Sequence, residues 1–125
     1  MNLLLDSHAL LWALHDPTRL RPDAAEAIRD PARAVFYSAA SVWELELKAS
    51  IGKLDLPDGW LGKVEETGFL ELPVLSTEAA ASTRLPWHHR DPFDRVLVAQ
   101  ALAHGLRLAT RDSWIPAYDV RLLTV

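Results

Sequence analysis

The stretch Asn2-Leu3-Leu4-Leu5-Asp6-Ser7 constrains this chain more than any other. Asn2 to Leu5 is a short apolar run, long enough for a buried strand. Asp6 and Ser7 end it with two helix-capping residue types. Ala9, Leu10, Leu11, Trp12, Ala13 and Leu14 then continue as an apolar helical stretch. Asp6 is therefore expected at the carboxyl end of a strand, where the chain turns into a helix. In an open parallel sheet that edge is where ligands bind. A carboxylate placed there either caps the helix or holds a metal.

The rest of the chain repeats this alternation. Arg21-Pro22-Asp23 opens a second helix, Ala24 to Arg29, closed by Asp30-Pro31. Ala34 to Tyr37 reads as a second buried strand, and Val42 to Ile51 as a helix stopped by Gly52. Trp60 to Thr67 reads as a short amphipathic helix. Phe69 to Leu75 contains a third strand, which Pro73 confines to a sheet edge or a strand end. Ser76 caps a helix from Thr77 to about Arg84, and Leu85 to Arg90 is a loop. Asp91-Pro92 opens a helix through His104, ended by Gly105. Arg107 to Thr110 is a fourth strand, Arg111 to Tyr118 a turn with a short helix at most, and Arg121 to Val125 a last strand. Alternating strands and helices predict a three-layer α/β/α fold around a mostly parallel sheet of about five strands.

Composition bounds the function. The chain has 125 residues, and half of them are hydrophobic. This is enough for one domain, residues 1–125, with its own core. No apolar run approaches the roughly 18 to 20 residues of a membrane span, and no signal-peptide pattern opens the chain. The absence of cysteine removes disulfides, thiolate zinc sites and cysteine nucleophiles, and is compatible with the cytoplasm. The net charge of −4 argues at first against nucleic acid. Setting four acids aside for a metal leaves the remainder neutral. Ten of the 13 basic residues are Arg, which suits bidentate phosphate contact or reflects Arg-biased codon usage.

Four acids stand out by position. Asp6 follows the first strand, and Asp112 follows the fourth. Glu44 lies in the first turn of the helix after the second strand, and Asp94 in the first turn of the helix opened by Asp91-Pro92. Parallel strands bring such positions to one sheet edge. Each acid also has a plain structural role open to it. Asp6 and Asp112 suit a cap or turn, and Ser41 with Glu44 fits a capping box. Glu44 and Lys48 are spaced for an i,i+4 ion pair, and Asp94 suits the helix dipole. Taken together, crowded carboxylates repel unless a cation binds. An all-oxygen set suits Mg²⁺ or Mn²⁺ rather than Zn²⁺, ions that activate water against a phosphodiester.

Four stretches carry a family resemblance: Leu-Leu-Leu-Asp-Ser-His-Ala-Leu-Leu-Trp at 3–12, Ser-Val-Trp-Glu-Leu-Glu-Leu-Lys at 41–48, His-His-Arg-Asp-Pro-Phe-Asp-Arg-Val-Leu-Val-Ala-Gln-Ala at 88–101, and Leu-Ala-Thr-Arg-Asp at 108–112. In this order they resemble PIN-domain proteins, and among them VapC-type toxin ribonucleases of toxin–antitoxin pairs. The resemblance covers essentially the whole chain. It places the family's acidic residues on Asp6, Glu44, Asp94 and Asp112, the acids that position alone selects. The fourth acidic position varies in the family, so Asp112 is the least fixed ligand. The resemblance implies a Mg²⁺- or Mn²⁺-dependent endoribonuclease, a cognate antitoxin protein, an RNA substrate and a homodimer.

Other residues have open roles. Ser7 either orients Asp6, touches water at the metal or caps the helix. Arg95 and Arg111 flank two acids, either to bind RNA phosphate or to hold the carboxylates. His88 and His89 invite a metal reading, but adjacent residues in extended chain point apart and rarely share one ion, so a solvated loop is the main reading and a metal the alternative. His8 reads as a helix-surface residue. Trp12 and Trp43 are expected in helix packing, while Trp60 and Trp87 suit a partner groove or base stacking. Two other functions fit parts of the pattern. A haloacid-dehalogenase-type phosphatase also starts from an Asp after its first strand, but His8 stands where its second Asp belongs. A non-catalytic RNA- or protein-binding module on a PIN scaffold is the other, although all four acids are present.

Overall fold

The structure is a computed structural model that describes residues 1–112, 115 and 118–125. Its strands are β1 (Leu3–Leu5), β2 (Val35–Ser38), β3 (Leu70–Leu72), β4 (Arg107–Thr110) and β5 (Leu122–Thr124). Its helices are α1 (Ser7–His15), α2 (Pro22–Arg29), α3 (Ala39–Ser50), α4 (Trp60–Glu66), α5 (Ser76–Thr83) and α6 (Pro92–His104). The five strands form one sheet in the order β3-β2-β1-β4-β5, and every pairing is parallel. The expected central sheet is present, and β3 lies at its edge with Pro73 just past its end, both within what Pro73 allows.

Side-chain alternation along β1 divides the core in two. Leu3 and Leu5 face a cluster with Leu10 and Leu14 of α1, Ile28 of α2, Leu45 of α3 and Val64 of α4. Leu4 faces the opposite cluster, with Leu97 and Val98 of α6. All three leucines are fully buried. Each contributes about 1.5–3 kcal/mol through removal from water. Helices therefore cover both sheet faces, which explains why the central strand is a continuous apolar run rather than an alternating one.

The chain runs outward from β1 through β2 to β3, then returns to place β4 on the other side of β1. The crevice beside β1 is thus a topological switch point, the place where open α/β sheets bind ligands. The backbone N–H of Asp6 donates to the Ala109 carbonyl at 3.0 Å, which carries the pairing of β1 and β4 up to this edge.

Helices α2, α3 and α5 begin earlier than the sequence suggests, α2 at Pro22 rather than Ala24. Helix α3 begins at Ala39 rather than Val42. Ser38 supplies the cap, its Oγ accepting from the Ala40 N–H at 3.0 Å, so Ser41 forms no capping box with Glu44. Glu44 consequently lies in the second turn. Helix α5 begins at Ser76 itself, because the Glu78 carboxylate accepts the Leu75 N–H at 3.1 Å and closes the turn one residue earlier. A short 3-10 turn, Pro17–Arg19, lies between α1 and α2. Of the turn expected over 111–118, residues 113, 114, 116 and 117 lie outside the described residues. No helix among the described residues is long and apolar enough to cross a membrane.

Candidate active site

Asp6, Glu44, Asp94 and Asp112 border one cleft of about 390 Å³ at the carboxyl edge of the sheet, together with Ser7, His8, Trp12, Lys48, Asp91 and Arg111. Each acid arrives from a different stretch. Asp6 leaves β1, Asp112 follows β4 by two residues, Glu44 projects from α3, and Asp94 sits at the start of α6.

The local roles anticipated for these acids are largely filled as well. Asp6 caps α1, its Oδ1 accepting from the Ala9 N–H at 2.8 Å. Glu44 receives Lys48 Nζ at 2.6 Å on Oε2. Asp91 Oδ1 caps α6, accepting from Phe93 N–H at 2.8 Å and Asp94 N–H at 3.3 Å. Capping leaves Asp6 buried within the crevice, so cap and site residue are one side chain.

Ser7 acts differently from the orienting role toward Asp6 that the sequence suggests. Its hydroxyl donates to Glu44 Oε1 at 2.5 Å and orients Glu44 rather than Asp6. Glu44 is thus held on both oxygens, by a neutral donor and a cation.

The electrostatics record the crowding. Burial pushes the Asp6 carboxyl up, against hydrogen bonds from Thr110 and Ala9 that favour its ionised form. Burial, followed by repulsion from Asp91, contact with Asp112 and the charge of Asp6, pushes Asp94 up to about 8. Lys48 is raised, chiefly by its hydrogen bond to Glu44. Two crowded carboxylates, Asp6 and Asp94, that resist ionisation in this way fit a divalent cation, which would relieve the repulsion.

The loop before α6 overturns the reading of His89 as a solvated residue. His89 is partly buried, and its Nε2 lies 2.9 Å from Asp94 Oδ2 and 3.0 Å from Asp112 Oδ2. One ligand atom from each of these three residues lies within 4.8 Å of the others, so they too could hold a metal. Burial disfavours the charged imidazole, but Asp112 and Asp94 outweigh it and raise the pKa of His89. The His88-His89 pair marks the loop in the sequence but not the partners of His89, which stand 5 and 23 residues away.

Arg95 is not available to RNA. It is 3% exposed. It donates to the carbonyls of Ser82, Leu85, Pro86 and His89 and to the Tyr118 hydroxyl, at 2.7–3.2 Å. It holds a loop rather than phosphate. Arg111 borders the cleft, but it also donates to the carbonyls of Arg19 and Val125 at 2.8 and 2.7 Å and lies over the Trp12 ring at 4.4 Å. His8 is exposed, as expected, and stacks on Trp12. Two tryptophans exchange their expected places. Trp60 is buried, with Nε1 donating to Glu46 at 2.8 Å, whereas Trp43 is 64% exposed and meets Phe93 edge to face. Trp87 is exposed above the Arg95 guanidinium, 3.7 Å from it.

A parallel sheet with acids gathered at its switch point defines a PIN-like class of protein. Residues 3–120 match the PIN domain family, and the chain belongs to it. Ribonuclease VapC22 of Mycobacterium tuberculosis is 34% identical over 117 residues, covering 89% of this chain and 87% of that protein. Solved structures share the fold. In VapBC2 from Rickettsia felis, bound to a promoter DNA fragment, the similar chain has a TM-score of 0.72 at 12% identity, covering 98% of both chains. In DNA-bound VapBC from Salmonella typhimurium the TM-score is 0.73 at 16% identity, over 98% of this chain and 97% of that one. In FitAcB from Neisseria gonorrhoeae it is 0.67 at 24% identity, over 98% and 96%.

Proposed function

We propose that this chain is a divalent-metal-dependent endoribonuclease, the toxin of a toxin–antitoxin pair, acting in the cytoplasm as a single domain spanning residues 1–125. The observation that carries this reading is the convergence of Asp6, Glu44, Asp94 and Asp112 on one cleft at the switch point. The 34% identity to Ribonuclease VapC22, over most of both chains, supports the reaction class. Similarity in fold to chains of VapBC assemblies supports a cognate antitoxin. The homodimer follows from the family resemblance.

The chain's own residues divide the work. Asp6, Glu44, Asp94 and Asp112 hold Mg²⁺ or Mn²⁺, directly or through water. When bound, such an ion makes water a stronger nucleophile and offsets charge on the phosphate oxygens. Asp6 is fixed by the α1 backbone, and Glu44 is aimed by Ser7 and Lys48. Arg111, at the cleft wall, is placed to meet a phosphate with the part of its guanidinium not spent on carbonyls.

The test is incubation of partner-free protein with total RNA in Mg²⁺ or Mn²⁺, in EDTA, and beside Asp6→Asn. Discrete fragments that need the ion and vanish in the variant are the expected result. Fragments that persist in EDTA or in the variant would overturn the mechanism. Binding of RNA without cleavage would point to a non-catalytic module, and turnover of phosphomonoesters to a phosphatase.

A further inference from the structure

Two carboxylates of the cleft, Asp94 and Asp112, have one partner in common. That partner is His89, whose Nε2 reaches both at about hydrogen-bond contact, 2.9 and 3.0 Å. The other ring nitrogen, Nδ1, accepts the Asp91 backbone N–H at 3.3 Å. With Nδ1 engaged as an acceptor, a neutral ring carries its hydrogen on Nε2, which then donates to both carboxylates.

The ring's place is fixed by the backbone on which it stands. The His89 N–H donates to the Tyr118 hydroxyl at 3.0 Å, and the His89 carbonyl accepts Arg95 Nη1 at 3.2 Å. Tyr118 donates in turn to the Pro86 carbonyl at 2.7 Å. Arg95 follows Asp94 directly on α6. The turn that presents Asp94 therefore also anchors the loop that presents His89.

We propose that His89 is a positioning residue of the acidic cleft, its imidazole tying Asp94 to Asp112 at a fixed spacing toward the divalent cation. The inference rests on the nuclease reading above. The tie spans two separate elements, α6 and the segment after β4, and acts beside the direct contact between the two carboxylates. Outer groups that hydrogen-bond a ligating carboxylate in this way typically contribute about 10–100-fold to metal affinity.

The experiment is calorimetric titration of the full-length chain with Mn²⁺, as wild type, His89→Ala and His89→Gln, with thermal melts in EDTA to verify folding. The Gln side-chain amide can donate from nearly the place of Nε2. The expected result is Mn²⁺ affinity about 10–100-fold weaker in His89→Ala and largely recovered in His89→Gln. RNA cleavage should show the loss in kcat at limiting Mn²⁺, with KM for RNA nearly unchanged. If His89→Ala binds Mn²⁺ as well as wild type or better, the positioning role is overturned, while RNA cleavage by wild type and its loss in Asp6→Asn keep the nuclease reading intact. If His89→Gln is as weak as His89→Ala, donation is not what the ring supplies, and the proposal is overturned in that form. Should folded wild type neither bind Mn²⁺ nor cleave RNA, both readings are overturned together.

Discussion

The Ser7 hydroxyl donates to Glu44 Oε1 at 2.5 Å, joining two residues 37 positions apart in the chain. It links the first turn of α1 to the second turn of α3, and so fixes the distance between the two walls of the cleft. Lys48 holds the second oxygen of the same carboxylate. Ser7→Ala should therefore release Glu44 on one side only. Cleavage is expected to fall about 10-fold, within the range for outer groups on a ligating carboxylate, with stability reduced by about 1 kcal/mol. Steady-state kinetics and urea melts of the same preparation check both figures. Unchanged kinetics would show that Lys48 alone suffices to aim Glu44.

Asp6→Asn separates chemistry from folding. Asn is as good an N-cap as Asp, so the contact to the Ala9 N–H survives and stability should change by less than about 1 kcal/mol. The negative charge is lost, and cleavage should fall by more than about 100-fold, beyond the usual loss for outer-sphere groups. Glu44→Gln should behave alike in cleavage. Near-wild-type activity in either variant would remove that residue from the site.

The pH dependence of stability has a definite sign. Asp94 is raised to about 8 from an ordinary 3.8, and Asp6 and His89 are raised as well. A group raised on folding contributes stability that is complete below its unfolded pKa and is lost as pH rises through the folded value. In EDTA, stability should thus decline between about pH 4 and 8, by an amount on the order of a few kcal/mol. Excess Mn²⁺ should flatten the decline, since the ion replaces the proton. Mn²⁺ affinity should rise over the upper part of that range, with protons released on binding. Denaturant melts at three pH values, with and without the ion, test this; a stability that climbs toward pH 8 in EDTA would contradict the assignment.

Arg95→Ala probes the loop from a distance. It strips one buried donor set from four carbonyls and a hydroxyl. A loss of about 3 kcal/mol is expected, with faster proteolysis confined to residues 82–91. Arg95→Lys should recover little, because an ammonium cannot spread its donors as the planar guanidinium does. Limited proteolysis with mapped cleavage sites gives the reading.

Glu78 offers a control outside the cleft. It is buried, and its Oε1 accepts Leu75 N–H at 3.1 Å and Gln100 Nε2 at 3.3 Å, while Oε2 meets His104 Nε2 at 2.5 Å. Burial works against its charge, but these partners win and lower its pKa. Glu78→Ala should cost about 2–3 kcal/mol by leaving them unpaired and leave Mn²⁺ affinity unchanged. A matching loss of Mn²⁺ affinity would show that the α5–α6 packing reaches the cleft.

The sequence by itself determined an apolar run, an acid and then a helix at β1, and an apolar run followed by an acid at β4. These junctions are local, so capping types, apolar runs and proline positions mark them. Parallel pairing then brings Asp6 and Asp112 together with no further information. The start of α3 was less legible, since Ser38 and Ser41 are equally good caps by type and only packing chose the earlier one. Tertiary structure alone decided what holds the acids. Ser7 meets Glu44, His89 meets Asp112, and Arg95 meets the carbonyls of its own preceding loop. It also decided that Trp60 is buried and Trp43 exposed. Hydrogen bonds between distant side chains leave no periodic trace, because their geometry exists only once the elements that carry them have docked.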